Sequence, residues 1–165
     1  MGAYALFMDQ STIKKIIEEL FESGSFDLAG VEVDHDEDVG IMRFKIDTKD
    51  SRFFLAAGGE PLFALNAVLR RIIEGKTPEG QTNPTSFILD INDVQKKRID
   101  SLKTIAHMMS ERAKFFKASV NLDPMPAHDR RIVHEFLSKK SDLMTESAGV
   151  GHDRHIVIKY VGTEI

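Results

Sequence analysis

Arg130 and His134 stand four residues apart in the segment Pro126-Ala-His-Asp-Arg-Arg-Ile-Val-His134. On a helix that spacing puts both side chains on one face. A guanidinium beside an imidazole offers several donors to a phosphate oxygen, and the guanidinium also stacks on a nucleobase. Arg131 adjoins them. Further along, Thr145 and Ser147 bring hydroxyls, and His152, Arg154 and His155 bring more nitrogen donors. The same residues admit a plainer assignment: Arg131 pairs with Glu135 one turn on, Arg130 is solvated and His134 packs into a core.

A second segment with possible chemistry is Ala56-Ala57-Gly58-Gly59, just before a helix that starts at Glu60. A Gly-x-x-Gly loop at a helix start lets a nucleic-acid backbone approach main-chain N–H groups and the positive end of the helix dipole. Here Ala replaces the first Gly, neither middle residue is basic, and Glu60 puts a negative charge where a phosphate would come. On these residues alone the segment reads better as an ordinary helix start.

Other chemistries fail on spacing. Asp34, Asp36 and Asp38 alternate as in a calcium loop, but the sixth and twelfth positions hold Val39 and Lys45 instead of Gly and Glu. His152 and His155 are two ligands without a third, so no metal is expected. Gly149-Val-Gly151 precedes a strand and lacks the third Gly of a dinucleotide fingerprint. No Walker loop or nucleophile elbow is present, and with no Cys there is no thiolate chemistry. The expectation is a non-enzyme without cofactor.

The elements that must position these residues follow from hydrophobic period. Ile13, Ile16, Ile17, Leu20 and Phe21 mark an amphipathic helix over 10–23, capped by Ser11 or Asp9 and ended by Gly24. Residues 28–33 and 39–46 read as a hairpin, with Met42, Phe44 and Ile46 alternating with Arg43 and Lys45. A helical turn at 51–55 precedes the helix from 60 to 74, which buries Leu62, Leu65, Leu69 and Ile72. Residues 75–85 form a loop and 86–91 a strand. A long helix over 93–116 places Ile99, Leu102, Ala106, Met109 and Ala113 on one side. Then come a strand at 117–122, a helix from the prolines to 137, a polar loop over 139–153 and a closing strand over 155–161.

The chain has 165 residues and a formal charge of −4, which by itself disfavours a polyanionic partner. The average hides a step. Residues 1–92 hold 9 basic and 16 acidic side chains, a net of −7; residues 93–165 hold 13 and 10, a net of +3, with five of the six His. Two modules, 1–92 and 93–165, are expected. No apolar run reaches the roughly 20 residues of a membrane span, and the short apolar N-terminus lacks the marks of a signal peptide. The expectation is a soluble, cytoplasmic protein without membrane insertion.

The segments Phe87-Ile-Leu-Asp-Ile-Asn-Asp-Val-Gln-Lys-Lys-Arg-Ile99, Ser110-Glu-Arg-Ala113, Leu122-Asp-Pro-Met125, Asp129-Arg-Arg-Ile-Val-His134, Thr145-Glu-Ser147 and Asp153-Arg-His-Ile-Val-Ile158 resemble the bacterial Jag (SpoIIIJ-associated) proteins. That family joins a KH domain to a domain named for its Arg-x-x-x-His motif, the RxxxH domain. The resemblance implies an α+β fold: a type II KH-like module (α-β-β-α-α-β) over 1–92 and an RxxxH module (α-β-α-β) over 93–165. It does not extend to the family's N-terminal Jag domain.

It further implies binding of single-stranded nucleic acid, RNA before DNA, with Arg130 and His134 the pair for which the domain is named; from residue chemistry Arg131, Arg154, His155, Thr145 and Ser147 are expected to bind beside them. The KH loop 56–59 departs from the family pattern. A regulatory role in RNA biology or cell elongation is implied too. The alternative is an adaptor whose KH half forms a homodimer or pairs with a small KH protein.

Overall fold

The computed structural model describes residues 10–76 and 86–162, so Asp9 and most of the expected 75–85 loop lie outside the described residues. The fold is mixed α+β, as expected. The chain divides into two compact units, Met1–Gln95 and Lys96–Ile165.

The first unit runs α1 (Gln10–Ser23), β1 (Gly30–Asp36), β2 (Ile41–Asp47), α2 (Ser51–Phe54), a 3-10 turn (Ala56–Gly59), α3 (Glu60–Lys76) and β3 (Ser86–Ile91). The sheet order is β1-β2-β3. β1 and β2 are antiparallel, and β2 and β3 run parallel. A parallel neighbour needs a crossover, which here contains α2 and α3. Ile13, Ile16, Ile17 and Phe21 of α1 and Leu62, Leu69 and Ile73 of α3 are buried in one cluster with Phe44, Ile46, Leu89 and Ile91 of the sheet. Ile73 takes the buried place expected of Ile72, which is only partly covered.

One expected alternation does not hold. The alternation puts Arg43 on the polar face of β2, yet it is buried. Its guanidinium donates to Asp34, its register partner on β1, to Asp90 of β3 at 3.0 Å and to Asp93 at 2.7 Å. Burial opposes the Arg43 charge, but the three carboxylates outweigh it and raise its pKa further. Asp90, fully buried, also accepts from the Gln95 N–H at 2.9 Å. Asn92 and Asp93 turn the chain there with φ of +56° each, a conformation these residue types tolerate.

The free edge of β3 is closed by a side chain. Asn66 of α3 accepts from the Leu89 N–H at 2.8 Å and donates to the Leu89 carbonyl at 3.3 Å. Its amide thus stands in for a neighbouring strand.

The second unit contains α4 (Val94–Phe116, whose first two residues belong to the first unit), β4 (Val120–Asn121), α5 (Ala127–Ser138), β5 (Leu143–Ala148), a 3-10 turn (Gly151–Asp153) and β6 (His155–Tyr160). The strands order β4-β6-β5, all antiparallel, with Ile156, Val157 and Ile158 of the central strand buried. Ile99, Leu102, Ala106, Ser110 and Ala113 of α4 are buried, and so are Ile132, Val133 and Leu137 of α5. Ser110 takes the place expected of Met109.

The expected polar loop over 139–153 is corrected, because Leu143–Ala148 is a strand. The module is therefore α-β-α-β-β. β5 is an edge strand on which only Leu143 is buried, so its sequence carries little apolar alternation.

Asn66→Ala is expected to lower the free energy of unfolding by about 1–3 kcal/mol, the cost of leaving the buried Leu89 groups unpaired. Urea titration followed by circular dichroism measures it. An unchanged midpoint would show that water replaces the amide.

Candidate nucleic-acid interface

α5 starts after Pro126, whose carbonyl accepts from the Arg130 N–H at 3.0 Å. Its inward face is set by Asp129, Ile132, Val133 and Leu137. Asp129 is a buried carboxylate, held by Nη2 and Nε of Arg98 at 2.6 and 3.2 Å and approached by His128 at 3.5 Å. Burial pushes its pKa up, but the hydrogen bonds from His128 and Arg98 outweigh that and hold it below the ordinary carboxylate value. Arg130 and His134 come next around the helix, at the border between the buried and solvent faces. Arg131 and Glu135 point further out.

At that border a chain of contacts links the expected residues. The Arg130 guanidinium donates to the Met125 carbonyl at 2.8 Å. The Met125 N–H donates to the Arg154 carbonyl at 3.0 Å. The Arg154 guanidinium donates to the Ser147 hydroxyl at 3.3 Å. Two residues along β5, on the same strand face, Thr145 meets His134 Nδ1 at 2.5 Å. Ser147 and Thr145 lie opposite Ile156 and Ile158 in the sheet register. Arg130, Arg154, Ser147, Thr145 and His134 are thus brought together.

His155 is not part of that group. Its register partner is Ala148, on the other strand face, and its Nδ1 donates to the Asp153 carbonyl at 2.8 Å. Arg131 is exposed, and the ion pair with Glu135 that the plainer assignment required does not form. His134 is likewise exposed and does not pack in a core. No carboxylate pairs with Arg130, Arg131 or Arg154 among the described residues.

Several contributors escaped the sequence reading. Asp129 and Arg98 orient α5, and the Met125 carbonyl aims Arg130. Gly149, set aside as a failed fingerprint, has a structural task. It sits at φ +85°, and a Cβ there would lie 2.4 Å from the Asp153 carbonyl oxygen, so the turn that delivers Arg154 closes only over glycine. The signal for Asp129 was its spacing, four residues before the buried Val133.

The second loop looks different. Ala57, Gly58 and Gly59 have φ of +49°, +71° and +91°. Ala56, Ala57 and Gly58 are exposed, Gly59 is buried and Glu60 is exposed at the start of α3. The loop presents no cation.

Arginines free of acids, hydroxyls and an imidazole on one strand-and-helix border suit a phosphate backbone. Comparison with known proteins agrees with that class: residues 100–160 match the RxxxH domain, the family named for its Arg-x-x-x-His motif, and the match spans the whole donor set. The chain is similar to the RNA-binding protein KhpB of Bacillus subtilis (strain 168), 28% identical over 121 residues, covering 72% of this chain and 56% of the relative. It is similar also to the RNA-binding protein KhpB of Clostridium symbiosum, 23% identical over 144 residues, covering 87% and 63%. The RNA-binding protein KhpB of Lactiplantibacillus plantarum is 24% identical over 131 residues, covering 78% and 39%. The chain spans about half the length of these relatives. The resemblance to Jag-type proteins holds, and the domain match falls on its Arg-x-x-x-His half.

Asp129→Asn should lower stability at neutral pH by about 1.5–3 kcal/mol, the range for a hydrogen bond to a charged group. A lowered folded pKa stabilises above the unfolded value and is lost as pH falls through the folded one. The difference between wild type and variant should therefore close on acidification below about pH 4, the unfolded carboxylate value. Thermal unfolding at several pH values measures this. A gap that is independent of pH would remove the ionised pair from the account.

Proposed function

We propose that this protein binds single-stranded RNA through the second unit and makes or breaks no covalent bond. The observation that carries this is the linked set Arg130, Arg154, Ser147, Thr145 and His134, in which the arginines have no acidic partner among the described residues. Arg131, one position outward, extends the cationic surface, and His155, on the other strand face, stands outside the set. Among the described residues no group of three His, Asp or Glu is placed to hold a metal, and no helix is long and apolar enough to cross a membrane. The relatives' printed names and the RxxxH match support RNA as the ligand. A regulatory role in RNA biology or cell elongation belongs to the same proposal.

For the first unit we propose a KH-like module of the type II order, α-β-β-α-α-β, over residues 1–92, with the RxxxH module over 93–165. A specific observation favours an adaptor role for it. Its loop 56–59 has no cation and is followed by Glu60, while Phe53 and Phe63 beside that loop are 53% and 57% exposed. Such a surface suits a protein partner, a second copy or a small KH protein, better than a phosphate chain.

The test is a titration of labelled single-stranded RNA at two salt concentrations. Arg130→Ala with His134→Ala should abolish most of the binding. Arg130→Ala alone should lower the slope of log affinity against log salt by about 0.7, the value for one phosphate contact on a single strand. An unchanged affinity would overturn the proposal. Ala57→Asp, which adds a negative charge to the exposed loop and tolerates its backbone, should leave affinity within about twofold, the scale of a screened surface charge. A large loss would make the loop an RNA contact.

A further inference from the structure

The last turn of α4 ends in two phenylalanines that nothing among the described residues covers. Phe115 is 82% and Phe116 64% exposed. Their rings meet edge to face, centroids 5.0 Å apart at 86°, so the edge of one covers a single face of the other and the remaining faces stay open to solvent. The helix closes just behind them: the Lys117 N–H donates to the Lys114 carbonyl at 3.2 Å and the Ala118 N–H to the Ala113 carbonyl at 3.2 Å, with Lys117 at φ +51°. The pair is held on ordered backbone.

Its charged surroundings are one-sided. Arg112, one turn before Phe116 on the same face, is exposed and carries no partner among the described residues. The same is true of the Lys117 side chain. The nearby acids are spent: Asp142 pairs with Lys114 at 2.8 Å, and Glu111 is shared by Lys114 and Lys140 at 3.6 Å each. What remains is two free ring faces flanked by two free cations.

We infer that Phe115 and Phe116, with Arg112 and Lys117, form a base-stacking platform for single-stranded nucleic acid, a second contact region of the RxxxH unit apart from the Arg130–His134 set. Aromatic faces beside cations are how proteins hold single strands without reading sequence. The C-terminal end of a helix is negative, so the platform takes bases, while phosphates stay with the cations. A two-fold pairing with a second copy would set Arg112 and Lys117 against the same residues of the other chain, like against like. That disfavours self-association on this face, although Ile105 and Met108 extend its apolar character along α4. The inference rests on the RNA-binding reading above.

The experiment uses the full chain. Both rings are exposed, so Phe115→Ala with Phe116→Ala leaves the core intact. It should weaken binding of a mixed-sequence single-stranded RNA about tenfold or more. The salt slope should not change, because no phosphate contact is removed. The chain has no Trp and two Tyr, so Phe115→Trp supplies a lone indole that can be excited selectively; the variant should bind as well as wild type and its indole emission should be quenched by unlabelled RNA.

Wild type that binds RNA while the double variant binds equally and the Trp is not quenched overturns the platform and leaves the Arg130 site standing. Wild type that binds no RNA at low salt overturns both. A double variant that changes the sedimentation coefficient but not RNA affinity makes this face a contact between copies and also overturns the platform.

Discussion

The donor set depends on one buried carboxylate. Apolar contact is non-directional, so the stripe of Ile132, Val133 and Leu137 alone would let α5 settle over a range of rotations about its axis. Asp129 removes that freedom. A charge in that position must be paired, and two nitrogens of Arg98 converge on one of its oxygens. With Asp129 turned inward, Arg130 lies about 100° further round the helix, at the border where it reaches the Met125 carbonyl. His134, one turn on, reaches Thr145. The placement of the donor set is therefore a consequence of an ion pair behind it, and Arg130 is separated by one residue position from the carboxylate that would neutralise it.

The two units use arginine in opposite ways. In the first, Arg43 is enclosed by Asp34, Asp90 and Asp93, which fasten three neighbouring segments of the chain to one guanidinium. That cation has nothing left for a ligand. In the second, Arg98 is given to a structural carboxylate, and Arg130, Arg131 and Arg154 keep their charge for the surface. The charge step near residue 92 is thus more than a difference in count. The basic residues of the second unit exceed its acids, and Asp129, Glu111 and Asp142 are directed at other cations.

The helices and their buried stripes were legible because a period of 3.6 residues survives solvent exposure of one face. Arg130 and His134 were legible for the same reason, since a spacing of four fixes a shared face whatever surrounds it. Three features were not. β5 is an edge strand whose outward positions are polar, so Leu-Met-Thr-Glu-Ser-Ala looks like a loop. Arg43 looks like an exposed position in an alternating strand, because burial of an arginine is decided by carboxylates 9, 47 and 50 residues away. Gly149 matched no ligand motif because its role is a close backbone approach, which only the folded turn reveals. The grouping of Thr145, Ser147 and Arg154 likewise required the β5–β6 register, whereas His155 fell on the other face by a shift of one residue.

Exposed phenylalanine carries opposite meanings in the two units. An apolar ring in water is unfavourable wherever it stands, and what relieves it depends on the charge beside it. Phe53 and Phe63 belong to a unit with seven more acids than bases over residues 1–92, so despite the exposed Arg52 beside Phe53 the unit's net charge opposes a nucleic acid. A protein surface has no such objection. Around Phe115 and Phe116 the free charges are positive, and in the proposed platform the ring faces take bases while Arg112 and Lys117 meet phosphates. Electrostatics at this range acts mainly on which partner arrives and how fast, and the rings supply the contact that keeps it. The proposed division of labour, a protein-facing first unit and an RNA-facing second one, rests on the placement of charge around aromatic side chains that are otherwise alike.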